Sequence, residues 1–275
     1  MCLIAFAWRA HKNYRLVVAA NRDEYFRRRT APADFWDDHH LVLAGRDLEA
    51  GGTWLGVTLQ GRFAAITNYR NPAERRSDAP TRGRLVSDYL TGAQRPREYA
   101  AAVGRKATQY NGFSMLAGDL GSLWFFSNQG GAPVEVARGV HALSNHLLDT
   151  PWPKVEKGKA MMRAALERPF DADALLAAFD DPRTAAGEPL PDTGVGLELE
   201  ERLSAVRIAP HGGYGTRCTT VLAVGEDGRV EFCERTWRED GRPGGAVRYR
   251  FTLAAAPGAS PRAGSRPRRT ALPSR

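Results

Sequence analysis

Apolar residues gather near the start of the chain in two short runs, residues 2–8 and 16–20, divided by the polar stretch Ala10-His11-Lys12-Asn13. Runs of this length bounded by turn formers predict strands, and their spacing predicts a hairpin over residues 2–9 and 15–21. A second hairpin is expected over 53–59 and 62–68, turning at Gln60-Gly61. Between the two, Arg27-Arg28-Arg29 and Asp37-Asp38-His39-His40 belong to a polar excursion. Helical patterns follow. Thr81 is a cap candidate for a segment running through Leu90, and 95–110 is Ala-rich and closed by Asn111-Gly112. Strands return at 113–117, 123–127 and 134–137. Pro153 then opens a helix carrying Val155, Met161, Met162, Ala165 and Leu166 along one face, and Asp171-Ala172-Asp173 opens another through Phe179. Past a Pro- and Gly-rich loop at 181–196, a short helix is expected at 197–206, and strands at 218–224, 229–237 and 246–253 close the pattern.

The order is strands, helices, strands, helices, strands. Hairpins dominate, so the fold class is α+β, with mainly antiparallel sheets and helices as outer layers. No linker divides residues 1–254, which are expected to form one domain. The segment 255–275, rich in Pro, Gly, Ala, Ser and Arg, is expected to be a disordered basic tail.

Charge changes this picture little. The net charge is +8, but five of those charges are the arginines of 257–275, a stretch without acids; the remainder carries +3. A nucleic-acid partner is therefore not expected, and the tail reads as solvated. Arg27-Arg28-Arg29 reads as a solvated face or as a carboxylate site near a pocket mouth. No apolar run nears the ~20 residues a membrane helix needs. With no room for a signal peptide before the first apolar run, a cytoplasmic location is the expectation. The cysteines Cys2, Cys218 and Cys233 lack zinc-site spacing. A turn at Gly225-Glu226-Asp227-Gly228 sets Cys233 opposite Val221, which argues against a Cys218–Cys233 disulfide. Gly51-Gly52 and Gly56 lack the Lys-Ser/Thr of a phosphate loop.

The chemistry concentrates at Cys2. Removal of Met1, usual when a small residue is second, would leave a cysteine with a thiol and a free α-amine. These titrate near ~8.5 and ~8, a nucleophile with its own base. Taken alone, Cys2 also reads as a small apolar residue at a strand start. Asn68 and Asn145 alone read as turn or cap residues, and Arg217 as a strand-end charge.

Together these residues carry a resemblance. Met1-Cys2, Ala20-Asn21-Arg22-Asp23-Glu24, Gly51-Gly52-Thr53-Trp54-Leu55-Gly56, Thr67-Asn68-Tyr69-Arg70, Leu143-Ser144-Asn145 and Tyr214-Gly215-Thr216-Arg217 resemble the NRDE family. It is also called the transport-and-Golgi-organization protein 2 family, and the match runs over roughly residues 1–253. That family in turn is similar to the N-terminal-nucleophile hydrolases of the penicillin V acylase and bile-salt hydrolase branch. The resemblance implies a four-layer αββα sandwich with two mainly antiparallel sheets. It implies Cys2 as nucleophile, Asp23 as partner of its α-ammonium, Asn68 and Asn145 as oxyanion donors and Arg217 as the arginine closing the site. Arg22 departs from the acylase spacing, in which the arginine falls on Ala20. Strand neighbours face opposite ways, so Arg22 and Asp23 both reach Cys2 only if the strand ends or bulges there; otherwise Arg22 pairs with Glu24 or a loop acid.

The expected activity is a cysteine amidohydrolase acting on a small non-peptide amide, with no cofactor required. The alternative implied by the family is a non-catalytic carrier that mobilises heme, with His39, His40, His141, His146 and His211 as candidate ligands and arginines holding the propionates. That reading lacks a Cys-x-x-Cys-His motif or a His pair on one helix face. A third reading is a structural adaptor working through the basic tail.

Overall fold

A computed structural model describes residues 2–254 and 269–271. The chain opens with β1 (Cys2–His11) and β2 (Tyr14–Tyr25), then runs through a meander of seven strands: β3 (Thr30–Phe35), β4 (Val42–Asp47), β5 (Leu55–Thr58), β6 (Phe63–Asn68), β7 (Phe113–Gly118), β8 (Leu123–Ser127) and β9 (Val134–Glu135). Helices α1 (Gly83–Thr91) and α2 (Pro96–Arg105) lie between β6 and β7. After β10 (Gly139–Leu143) come α3 (Pro153–Leu166), α4 (Ala172–Ala178) and α5 (Leu197–Arg202). The last strands are β11 (Tyr214–Gly225), β12 (Arg229–Trp237), β13 (Pro243–Thr252) and β14 (Arg269–Ala271).

The meander forms one sheet in simple chain order. The other is ordered β10-β1-β2-β11-β12-β13-β14, and its described pairings, like those of the meander, are antiparallel. Alternation along each strand sorts residues into layers. Ile4, Phe6, Val18, Leu222 and Phe232 meet Leu43, Leu55, Phe63 and Leu116 between the sheets. On the outer face of the first sheet, Leu3, Ala5, Ala19 and Val221 pack against Val155 and Met162 of α3 and Leu175 and Leu176 of α4. On the outer face of the meander, Ala64, Ile66 and Met115 pack against Leu85, Tyr89, Tyr99 and Val103 of α1 and α2. The result is helix, sheet, sheet, helix: the αββα sandwich that the resemblance implies.

The first hairpin and the late hairpin form in the expected register, with Val224 opposite Val230 and Cys233 opposite Val221. The three cysteines are free thiols. Four expectations are corrected. The polar excursion contains two strands, β3 and β4, its Pro32 accommodated at a bulge between Ala31 and Asp34. Thr81 does not cap α1; Arg82 holds that position. The strand expected at 134–137 ends at Glu135, and the chain crosses to the other sheet as β10. The tail is not structureless throughout: Arg269–Ala271 pairs with β13, while 255–268 and 272–275 lie outside the described residues.

Candidate active site

The site lies where the first sheet's strand ends open between the layers. Cys2 sits directly opposite Arg22 of β2, and Arg22 directly opposite Cys218 of β11. Residues directly opposite in an antiparallel pair share a face, so the three form one row on the inner face. Asp23 faces the other way. Its Oδ1 accepts a 2.6 Å hydrogen bond from Thr216 Oγ1, and Thr216 in turn accepts from the Ile208 N–H at 2.8 Å. Asp23 reaches the Cys2 thiol through its backbone N–H. Strand β2 does not bulge at Arg22 and Asp23, and Arg22 pairs loosely with Glu24 at 3.9 Å. The bulge lies one strand away, where Thr216 pairs with Asp23 and Cys218 with Arg22, so Arg217 is the extra residue. That insertion brings Arg217 to the cleft face alongside Cys218.

This row forms one wall of a cleft of about 850 Å³, which Asn68, Thr53, Arg82, Arg217 and Glu234 also line. The Gly51-Gly52 motif shapes the opposite wall. A Cβ on Gly52 would stand 2.5 Å from the Gly83 carbonyl carbon, so only glycine lets the β4–β5 connection meet the start of α1. Arg82, at that helix start, donates to the Gly112 carbonyl at 2.8 Å; burial pulls its guanidinium down to about 10.

The polar groups differ in how they are used. Arg217 spends Nη1 on the carbonyls of Tyr25 and Arg28, at 2.8 and 3.0 Å, and lies over Phe26, tying down the β2–β3 connection. Asn145 is fully buried at φ 54°, a left-handed conformation that Asn tolerates. Its amide donates to the Asn68 carbonyl at 3.0 Å, and it is not among the residues lining the cleft. Arg22 and Asn68 behave otherwise. Among the described residues neither side chain makes a hydrogen bond, and the carboxylate nearest Arg22 is Glu24 at 3.9 Å. Burial pushes the Cys2 thiol up and Asp23 pushes it further, while Arg22 pulls it down.

The structure therefore brings Cys2, Arg22, Asp23, Asn68 and Arg217 to the lining of one cleft, with Asp23 Oδ1 turned to Thr216 and Asn145 as a brace under Asn68. Sequence reasoning missed Arg82, Cys218 and Glu234. Glu234 had a signal: it follows Val230 and Phe232 on the apolar parity of β12. It is buried, accepts from the Ala33 N–H at 2.7 Å and Thr220 Oγ1 at 3.1 Å, and burial raises its carboxyl. Arg82 lies in a loop, where no periodicity points to it.

The heme-ligand candidates do not meet here. No histidine lines the cleft. His141 has both ring nitrogens engaged, by Asp149 and the Ala137 carbonyl, and His146 by Tyr69 and Thr150. The residues present do not fit a histidine-ligated heme in this cleft. No cluster of metal ligands occurs among the described residues, and no described helix is long and apolar enough to cross a membrane.

Residues 1–239 match the family model described as Transport and Golgi organisation 2, and the chain belongs to that family. It is 38% identical over 259 residues to the Bos taurus transport and Golgi organization protein 2 homolog, covering 86% of this chain and 93% of the relative. It is 36% identical over 275 residues to the Homo sapiens homolog, covering 92% and 99%. Among solved structures it is similar to a Caenorhabditis elegans N-acylethanolamine-hydrolyzing acid amidase ortholog, at 10% identity and a TM-score of 0.48, covering 80% of this chain and 92% of that one.

Proposed function

We propose that the protein is a cysteine-dependent hydrolase of small non-peptide amides, with Cys2 as nucleophile once Met1 is removed. The observation that carries this reading is the row at the cleft wall: a thiol facing a guanidinium that has no hydrogen bond among the described residues. A guanidinium beside a buried thiol, held only by a long 3.9 Å ion pair to Glu24, favours the thiolate. Asn68 adds an amide in the same cleft with its donors uncommitted.

In this mechanism the thiol proton passes to the α-amine and the thiolate forms a C–S bond to the amide carbonyl carbon. The developing oxyanion takes an N–H from Asn68; one such donor contributes about 3 kcal/mol of barrier lowering. Collapse breaks the C–N bond, and the α-ammonium returns its proton to the departing amine. Water then cleaves the thioester, releasing a carboxylic acid and restoring the thiol. The cleft's several arginines suit a substrate with an anionic group.

Intact-protein mass spectrometry should find Met1 absent. A panel of N-acyl amides should be turned over by the wild type and at least about a thousandfold more slowly by Cys2→Ala. Retained Met1, or turnover unaffected by Cys2→Ala, overturns the reading.

A further inference from the structure

Behind Cys2, on the opposite face of the same sheet, lies a buried amine that the mechanism above does not use. Lys154 is the second residue of α3 and is 1% exposed. Among the described residues its Nζ has no hydrogen-bond partner. Burying an ammonium without a partner costs several kcal/mol in stability, and a cation at a helix N-terminus also opposes the helix dipole. Nothing in the packing calls for a lysine there.

The surroundings define its place. Helix α3 lies against β1 so closely that a Cβ on Gly158 would touch Ala5 at 3.4 Å and Leu3 at 3.5 Å. Lys154, one helical turn earlier, is within reach of the charges of Cys2 and Asp23, which places it over the start of β1. The charged and titratable groups that act on it are Asp23 of β2, Cys2 of β1, Arg70 after β6 and Glu200 of α5. Asp23 dominates among the charges. Arg70 and Glu200 are paired with one another, both side chains buried, so they largely cancel. Burial pulls the Lys154 amine down to about 8, which leaves it mostly charged at pH 7.

We propose that Lys154 supplies a buried positive charge that lowers the pH at which the thiol and α-amine of Cys2 give up their first proton. This rests on the N-terminal-cysteine reading and specifies how that nucleophile is readied. The Asp23 carboxylate acts on both Lys154 and Cys2, holding the ammonium charged and opposing the thiolate. A fixed cation nearby disfavours the doubly protonated thiol–ammonium state whichever of the two groups releases the proton, because either loss lowers the local positive charge by one. The nucleophilic form, with the thiol proton on the α-amine or released, is thereby populated nearer neutrality. Lys154 touches neither substrate nor sulfur; it acts through space from behind the sheet.

The test is the pH profile of Cys2 alkylation by iodoacetamide on the full chain, followed by mass spectrometry of the N-terminal peptide. In that reaction the sulfur–carbon bond forms, iodide leaves, and the thiol proton passes to the α-amine or to solvent. Lys154→Met should shift the profile to higher pH by about one unit, a roughly tenfold slower alkylation at pH 7, with the high-pH plateau unchanged. Lys154→Gln is the second variant, with circular dichroism and thermal melting confirming that each is folded. Met1 absent and an unchanged profile in either folded variant overturns the role of Lys154 alone. Met1 present overturns both this proposal and the nucleophile reading.

Discussion

The two faces of strand β2 make opposite use of one short motif. On the outer face, Asn21 donates to the carbonyls of Phe179 and Val206 at 3.0 and 2.8 Å and accepts from Thr219 Oγ1 at 2.7 Å. Asp23, two residues on, accepts from Thr216. On the inner face Arg22 makes no hydrogen bond among the described residues, although its side chain is only 11% exposed. The donors of Asn21 are taken up by the fold, whereas those of Arg22 open onto the cleft, where water or a ligand can meet them. The difference teaches that the Asn-Arg-Asp-Glu tetrad is two devices interleaved by strand alternation: Asn21 and Asp23 fasten loops and helices to the sheet, while Arg22 and Glu24 face the cleft.

The comparison breaks most directly through Asn21. Asn21→Leu removes the amide and leaves two buried carbonyls without that donor, so it should destabilise the fold by on the order of 3 kcal/mol, read as a lower urea midpoint. A cost under about 1 kcal/mol would remove the structural assignment of the outer face. Arg22→Met sharpens the contrast from the other side. It should change stability by less than about 1 kcal/mol, since no hydrogen bond is lost, while slowing Cys2 alkylation at pH 7 about tenfold, the effect of one pKa unit on the thiol. If Arg22→Met instead unfolds the protein without altering the thiol, the two faces have been assigned the wrong way round.

The smallest expected effect belongs to a surface pair remote from this contrast. Asp149 bonds His141 Nδ1 at 2.6 Å, which raises the imidazole, and that same bond holds the Asp149 carboxyl down against the opposing effect of burial. A raised histidine contributes stability that is complete below about pH 6.5 and is lost as pH rises through its folded value; a lowered aspartate contributes above about pH 4 and loses its share as pH falls. The pair's support is thus greatest between about pH 4 and 6.5. Asp149→Asn should flatten the melting-temperature profile across that window by a degree or two and leave Cys2 alkylation unchanged. A shift in alkylation would show that the site is coupled to this edge strand.

Much of the molecule was legible in the chain because it depends on local rules. Turn chemistry at Gly225–Gly228 set the register that puts Cys233 across from Val221 and excludes a disulfide. Period-two alternation separated Arg22 from Asp23, and Met1-Cys2 before an apolar run drew attention to Cys2, which the structure places in the cleft wall. Other features had no local sign. Strands β3 and β4 were hidden because they are short, polar and broken by Pro32 at a bulge. Nor does alternation reveal the bulge at Arg217, since either strand of a pair can take up the extra residue.

What the sequence determined by itself is therefore the alternation: which residues travel together on a face, and which types of chemistry each face carries. Which face meets helices and which meets a cleft was decided by the tertiary structure. That choice is made by partners more than a hundred residues away, such as Phe179 and Val206 for Asn21 and Thr216 for Asp23. A backbone repeat is fixed by the dihedral angles of each residue, whereas the environment of a face is fixed only when distant segments pack against it.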